Sequence, residues 1–186
     1  MQTVTTIVEE IREISATLAA CSSLAPSPTV NKALSRLVTL VMTTPAQVAH
    51  EVLQQLHQRD LIPLIRNKVL EAETELEFWW SCRLRGLDTL TWDTLTTFPY
   101  FNCYQDLTAL EMRPIERLDG PVLFVGGGSL PLSALMMAQV YNRTVTIIDV
   151  NREAVMAAQS LVDRLGLVTW LPSSRLTLKP MCLHSR

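Results

Sequence analysis

At 186 residues, 48% hydrophobic and 18% charged, the chain is long enough to bury a sizeable core and too apolar to be disordered. A net charge of −2 with no cluster of Lys and Arg excludes an electrostatic nucleic-acid surface, and no apolar run is long enough to span a bilayer. Glu9 and Glu10 interrupt the first apolar stretch where a secretory leader needs its core, and the four cysteines (Cys21, Cys82, Cys103, Cys182) form no C-x-x-C pair; they read as reduced, mostly buried thiols of a soluble, cytoplasmic protein.

From Val4 to about Leu24, Val4, Ile7, Ile11, Ile14 and Leu18 recur at helical spacing. The prolines of Ser23 to Pro28 stop that helix, and Ser27 or Thr29 can cap a second. Its stripe is Val30, Leu34, Leu37, Val38 and Val41, ending at Thr43-Thr44-Pro45. A third helix runs from about Pro45 to Arg59 and is broken at Leu61 to Pro63. A fourth, from about Leu64 to Arg83, puts Ile65, Val69, Ala72, Leu76, Trp79 and Trp80 on one face. Glu71 and Glu75 point away from that face, Glu73 sits at its rim, and Glu77 follows one turn later. Thr96 to Glu111 reads as a loop because of Pro99 and Asn102, with Asp106 or Thr108 starting a short helix. Its Phe98, Tyr100, Phe101 and Tyr104 suit a pocket wall.

The chemistry-bearing stretch is PVLFVGGGSLP, Pro121 to Pro131, followed by TVTIIDVN, Thr144 to Asn151. An apolar run ends in three glycines and opens an apolar helix pattern; a second apolar run ends in an aspartate. This is a βαβ unit for an adenosine-type ligand. Gly126 makes the tight turn, Gly128 lets backbone approach a ligand, and Ser129 can cap a helix beginning at Leu130 or Pro131. The helix N-terminus offers N–H groups to a carboxylate or phosphate. Against G-x-G-x-x-G, Pro131 stands where the third glycine belongs, which disfavours NAD. Asp149 is placed to hold ribose hydroxyls. The coarse boundary falls near Asp119, giving a helical domain at 1–118 and a Rossmann-like domain at 119–186.

Other constellations are weaker. His50 and His57 are seven apart and lack a third ligand, so no metal site is expected. No G-x-S-x-G or H-E-x-x-H supports hydrolysis. Glu73 and Glu77, from spacing alone, are two solvated acids that repel slightly. A carboxylate partly desolvated against Trp80 would instead have a raised pKa and could accept a proton from an amine.

The order of motifs adds to this. PSPTVNKALSRLV (Pro26 to Val38), EAETELE (Glu71 to Glu77), FPYFNCYQDLTALE (Phe98 to Glu111) and LFVGGGSLPLSALMMA (Leu123 to Ala138) resemble the nicotianamine synthase family, over roughly Val8 to Gly166. The family has a P-S-P-x-V-N helix start, an E-A-E helix, an F-P-Y loop and a G-x-G-x-L-P-L turn in this order.

The resemblance implies an α/β fold: an N-terminal helical bundle followed by a Rossmann-like S-adenosylmethionine-binding domain. It implies transfer of the 3-amino-3-carboxypropyl (aminobutanoyl) arm of S-adenosylmethionine to an amine, with release of methylthioadenosine, in metallophore biosynthesis. The acceptor is histidine, as in bacterial opine-metallophore relatives of the staphylopine type, or another aminobutanoyl unit. By position, Glu73 matches the family's catalytic glutamate and Tyr100 its partner tyrosine. Gly126, Gly127, Gly128, Ser129, Asp149 and Val150 fall at the donor site, and Glu77 and Tyr104 line the acceptor pocket. S-adenosylmethionine is then donor substrate, no metal is needed for catalysis, and the partners are small molecules, with a homodimer allowed and no nucleic acid or membrane. Cys103 stands where the family commonly has asparagine.

One feature sets the chain apart. A doubly wound sheet needs about five strands, and this sequence offers two clear ones plus a candidate at Leu167 to Leu171. The segment from Leu165 onward has no strand–helix rhythm, so the expectation is a truncated or frame-shifted end. The alternatives are a conventional methyltransferase, which would release adenosylhomocysteine, or an inactive ligand-binding remnant.

Overall fold

Prolines and capping residues set the helix boundaries of the first seventy residues. The structure, a computed structural model, describes residues 3–167 and the backbone of 175–178. Helix α1 (Val4–Ala20) starts at Thr3, whose side-chain oxygen accepts the Thr6 N–H, and buries Ile7, Val8, Ile11, Ile14 and Leu18. Buried Ser15 is satisfied by donating to the Ile11 carbonyl. Helix α2 (Pro28–Thr43) is capped by Ser27, with Pro28 at a first-turn position that needs no N–H. It buries Leu40 while Val41 stays exposed, so the apolar stripe drifts by one residue at the helix end. Helix α3 (Ala46–Gln58) stops where Asp60 adopts a left-handed φ of 52°.

Helix α4 (Leu61–Arg85) begins three residues before the expected start at Leu64. Pro63 does not break it, because it sits in the first turn, where a missing N–H costs nothing. The chain divides into two compact units, Met1–Leu76 and Glu77–Arg186. In the first, α1 packs against α2 and α3, and Arg36 pairs with Glu10 and Glu13 at 3.3 and 3.4 Å. Such solvated pairs are worth at most about 1 kcal/mol each, so this unit rests on its apolar faces. Asp119, the boundary expected from sequence, instead marks where the helical stretch gives way to the sheet-bearing one.

The second unit holds α5 (Trp92–Leu95), α6 (Phe101–Met112), a 3-10 turn (Arg113–Ile115), β1 (Val122–Val125), α7 (Leu132–Gln139), β2 (Val145–Ile148), α8 (Arg152–Arg164) and β3 (Arg175–Leu178). The aromatic stretch expected as a loop is therefore mostly helix. Pro99 precedes α6 and Asn102 lies in its first turn, so neither interrupts an intrahelical bond. Strands β1 and β2 pair in parallel with Val122 opposite Val145, the arrangement that the βαβ reading requires. The third strand is β3, antiparallel to β2. Of the expected strand at Leu167 to Leu171, Leu167 is not in a strand and 168–171 lie outside the described residues.

Helix α7 is buried from Leu132 through Ala138, as its unbroken apolar sequence requires, and packs on α6. The Arg143 guanidinium donates to the carbonyls of Ile115, Glu116 and Leu118, tying the approach to β1 onto the start of β2. The cysteines correct their expectation: Cys82 and Cys103 are exposed and Cys21 is half-buried, since the two helices turn those positions away from their apolar faces.

Two outcomes follow from this packing. Leu135→Ala, at a site with no solvent exposure, should cost about 2–5 kcal/mol in urea unfolding. Glu111 has a buried, unpaired Oε2, and burial raises its pKa above the ordinary 4.5. The folded chain thus holds that proton to higher pH than the unfolded one. Its stability contribution is present below pH 4.5 and lost as pH rises through the raised value. Unfolding midpoints of Glu111→Gln measured at pH 4 and 7 should lack that part of the decline.

Candidate functional site

At the carboxyl end of β1 the chain enters Gly126 with φ 81° and leaves through Gly128 with φ 64°, conformations that disfavour any side chain. Gly127 has a different requirement: a Cβ there would run into Ile147 Cγ2 of β2. The turn is held by Asp149, whose Oδ2 accepts the Gly128 N–H at 2.9 Å and whose Oδ1 accepts the Asn151 N–H at 2.7 Å. Asn151 in turn caps α8 by accepting from Glu153 and Ala154. Strand end, glycine turn and helix start are thereby one hydrogen-bonded unit.

Ser129 is buried but does not cap α7. The helix begins at Leu132, with Pro131 at the cap position and no side-chain cap bond. Its first-turn N–H groups therefore lack the serine partner expected from sequence.

The acidic residue that reaches the turn is Glu77. A Cβ on Gly128 would stand 2.5 Å from Glu77 Oε2, so this glycine admits the carboxylate as well as making the turn. The Tyr104 hydroxyl donates to Glu77 Oε1 at 2.6 Å. Behind the pair, Phe98 is 2% exposed and meets Trp80, Tyr100 and Tyr104 edge-to-face at ring separations of 5.7, 5.9 and 5.9 Å. One buried ring thus fixes the other three, and with them the Tyr104 hydroxyl. The Arg164 guanidinium of α8 donates to the carbonyls of Arg85, Leu87 and Asp88, pinning the end of α4 that follows Glu77.

The second unit accordingly brings together Glu77, Tyr104, Gly126, Gly127, Gly128, Ser129 and Asp149. Tyr100 touches the same aromatic cluster from the position just ahead of α6, and Val150 is fully exposed. Glu73 belongs to the first unit. Its side chain as a whole is exposed, yet neighbouring protein desolvates the carboxyl enough to raise its pKa. His50 and His57 are exposed on α3. Sequence reasoning missed Arg164 and the central role of Phe98. An arginine in the last turn of a helix is ordinary, and a phenylalanine among aromatics carries no mark of being the hub.

A family model described as nicotianamine synthase protein matches residues 1–183. The chain belongs to the nicotianamine synthase family. It is 38% identical to Nicotianamine synthase 9 of Hordeum vulgare over 137 residues, which cover 71% of this chain and 39% of that relative. The chain spans about two fifths of the length of such curated relatives. Among solved structures it is similar to MtNAS in complex with MTA and tNA, with TM-score 0.71 and 20% identity over 85% of this chain and 62% of that chain. A glutamate-to-glutamine mutant of MtNAS in complex with S-adenosylmethionine matches with TM-score 0.64 and 20% identity over 86% of this chain and 61% of that one. These structural likenesses show a shared fold.

Gly128→Ala forces a side chain into left-handed backbone and against Glu77, and should destabilise the chain by about 1–3 kcal/mol in urea unfolding. Gly86→Ala meets only ordinary contacts at 3.5 Å and should stay within about 1 kcal/mol.

Proposed function

We propose that this protein is a transferase that moves the 3-amino-3-carboxypropyl group of S-adenosylmethionine to an amine acceptor and releases methylthioadenosine. The observation that carries the reading is the approach of Glu77, held by Tyr104, to a glycine turn already bound by Asp149. Two carboxylates at one turn make a site for a cationic donor and an ammonium acceptor. The anion position at the Gly128 N–H is taken by Asp149, which argues against a dinucleotide pyrophosphate there. Membership of the nicotianamine synthase family and the S-adenosylmethionine in the MtNAS mutant structure support the same donor.

The chemistry asks three things of the residues. The acceptor arrives as an ammonium, which has no lone pair, so a carboxylate must take a proton. The freed amine attacks the donor carbon next to sulfur; the new C–N bond forms as the C–S bond breaks, and its electron pair leaves on a neutral thioether. Glu77 suits the base: Tyr104 holds one oxygen and the other faces the turn. Holding amine and sulfonium in line supplies the rest of the acceleration. This reading gives the role of base to Glu77, where motif order points to Glu73, and the partner role to Tyr104, where motif order points to Tyr100. Gly126, Gly127, Gly128, Ser129, Asp149 and Val150 form the adenosine side. Asp149, keeping the Gly128 N–H, turns its remaining lone pairs to the ribose hydroxyls. The acceptor is histidine or another aminobutanoyl unit, in cytoplasmic metallophore biosynthesis.

The test is incubation with S-adenosylmethionine and candidate amines, with mass spectrometry for methylthioadenosine and the conjugate. Glu77→Gln should slow transfer by about 100-fold or more while donor affinity changes little. Glu73→Gln should leave the rate within about threefold, below the scale of a lost general base. A collapse in Glu73→Gln alone returns the role to Glu73. Adenosylhomocysteine as product would establish a methyltransferase, and binding without turnover a ligand-binding remnant.

A further inference from the structure

Helices α5, α6 and α7 border a cavity of about 430 Å³, a volume ordinary for a small-molecule site. It lies along the carboxyl end of α7, where Met136, Val140 and Tyr141 line it. The glycine turn precedes the amino end of the same helix, about 10 Å of axial rise away. On α6 the cavity is lined by Phe101, Gln105 and Asp106, whereas the Tyr104 hydroxyl is turned to Glu77. None of the residues assigned to transfer lines it.

Local structure fixes its aromatic walls. Thr94 Oγ1 accepts the Thr91 N–H at 3.1 Å, closing the short helix α5, of which Trp92 is the first residue. The Trp92 indole meets the Phe101 ring at 6.2 Å and 78°, so two rings stand nearly at right angles. Tyr141 adds a third. Its N–H donates to the Met136 carbonyl at 3.3 Å, and Asn142, with φ 54°, turns the chain directly after it.

Among the described residues of the lining, Asp106 alone is charged, and its carboxylate makes neither a hydrogen bond nor an ion pair. The Gln105 amide, the Trp92 Nε1–H and the Tyr141 hydroxyl are likewise uncommitted, while Thr108 is satisfied by the Tyr104 carbonyl. Arg143, the basic residue nearest Tyr141 in sequence, has its guanidinium on the carbonyls of Ile115, Glu116 and Leu118. Aromatic faces and one carboxylate attract a cation. That cation is not a metal ion, since no metal-holding group of His, Cys, Asp and Glu occurs among the described residues. A quaternary ammonium donates no hydrogen bond, so rings and apolar side chains replace its water without orphaning a donor.

We propose that this cavity binds a free organic cation of the quaternary ammonium class, its methyl groups against Trp92, Phe101 and Tyr141 and its charge beside Asp106. The lining has no basic side chain for a phosphate, which favours a free cation over a phosphorylated or lipid-borne one. The site is independent of the transfer reaction proposed above.

The probe is choline, followed on the full chain by NMR at the Trp92 indole and the Tyr141 amide. Choline should shift both signals. It should bind about tenfold or more tightly than the neutral alcohol in which carbon replaces its nitrogen. Trp92→Phe, which keeps a ring, and Asp106→Asn, at an exposed position, should each weaken choline about threefold or more. Added salt should weaken choline in the parent chain and much less in Asp106→Asn. Phosphocholine should bind more weakly than choline. Choline shifts that persist in excess S-adenosylmethionine establish a site separate from the turn. Equal affinity for choline and its neutral analogue overturns the proposal, as does tighter binding of phosphocholine. Shifts confined to the Gly126–Gly128 amides, or displacement of choline by S-adenosylmethionine, overturn it too.

Discussion

Three segments meet at the Gly128 backbone, and they can do so only because position 128 carries no side chain. Glu77 approaches from α4, Asp149 from the end of β2, and the turn itself comes from β1. Added atoms at Gly128 would collide with Glu77, and at Gly127 with Ile147, so the triple glycine answers two separate steric demands as well as a backbone one. The rest of the second unit serves this meeting. Phe98 immobilises the ring of Tyr104, Tyr104 orients Glu77, Asp149 locks the turn, and Arg164 holds the chain that leaves α4.

The electrostatics follow from the same geometry. Two carboxylates lie at the turn: Glu77 accepts from a phenol on one oxygen, and Asp149 accepts from backbone N–H groups on both. Such a turn differs from the phosphate-cradling kind, in which the N–H groups await an anion. Pro131 belongs to this difference. It removes an N–H just where a dinucleotide loop would continue, and α7 begins after it.

Much of the architecture was legible in the chain itself. Capping by Ser27, the stripes of α1 and α2, and the two parallel strands all follow from local chemistry: a hydroxyl before a proline, apolar residues every three or four, and mostly apolar runs between turns. The failures have physical causes too. Leu61 to Pro63 does follow the end of α3, but a proline in or before a first turn removes a hydrogen bond that the helix never makes, so α4 already begins at Leu61 and the stretch after Pro99 is helix, not loop. Spacing alone does not show that Glu77 reaches Tyr104 and Gly128, because those partners come from α6 and the glycine turn.

The sequence by itself determined that a glycine-rich turn would join a parallel βαβ pair and end in an aspartate, and that helices would precede it. Local sterics and periodicity suffice for that, since each acts within a few residues. Only the tertiary structure decided that Glu77 meets the turn and that Phe98 is the hub of the aromatic cluster. Those depend on contacts between residues dozens of positions apart, such as Glu77 with Tyr104 and Gly128 with Asp149, which no local pattern encodes.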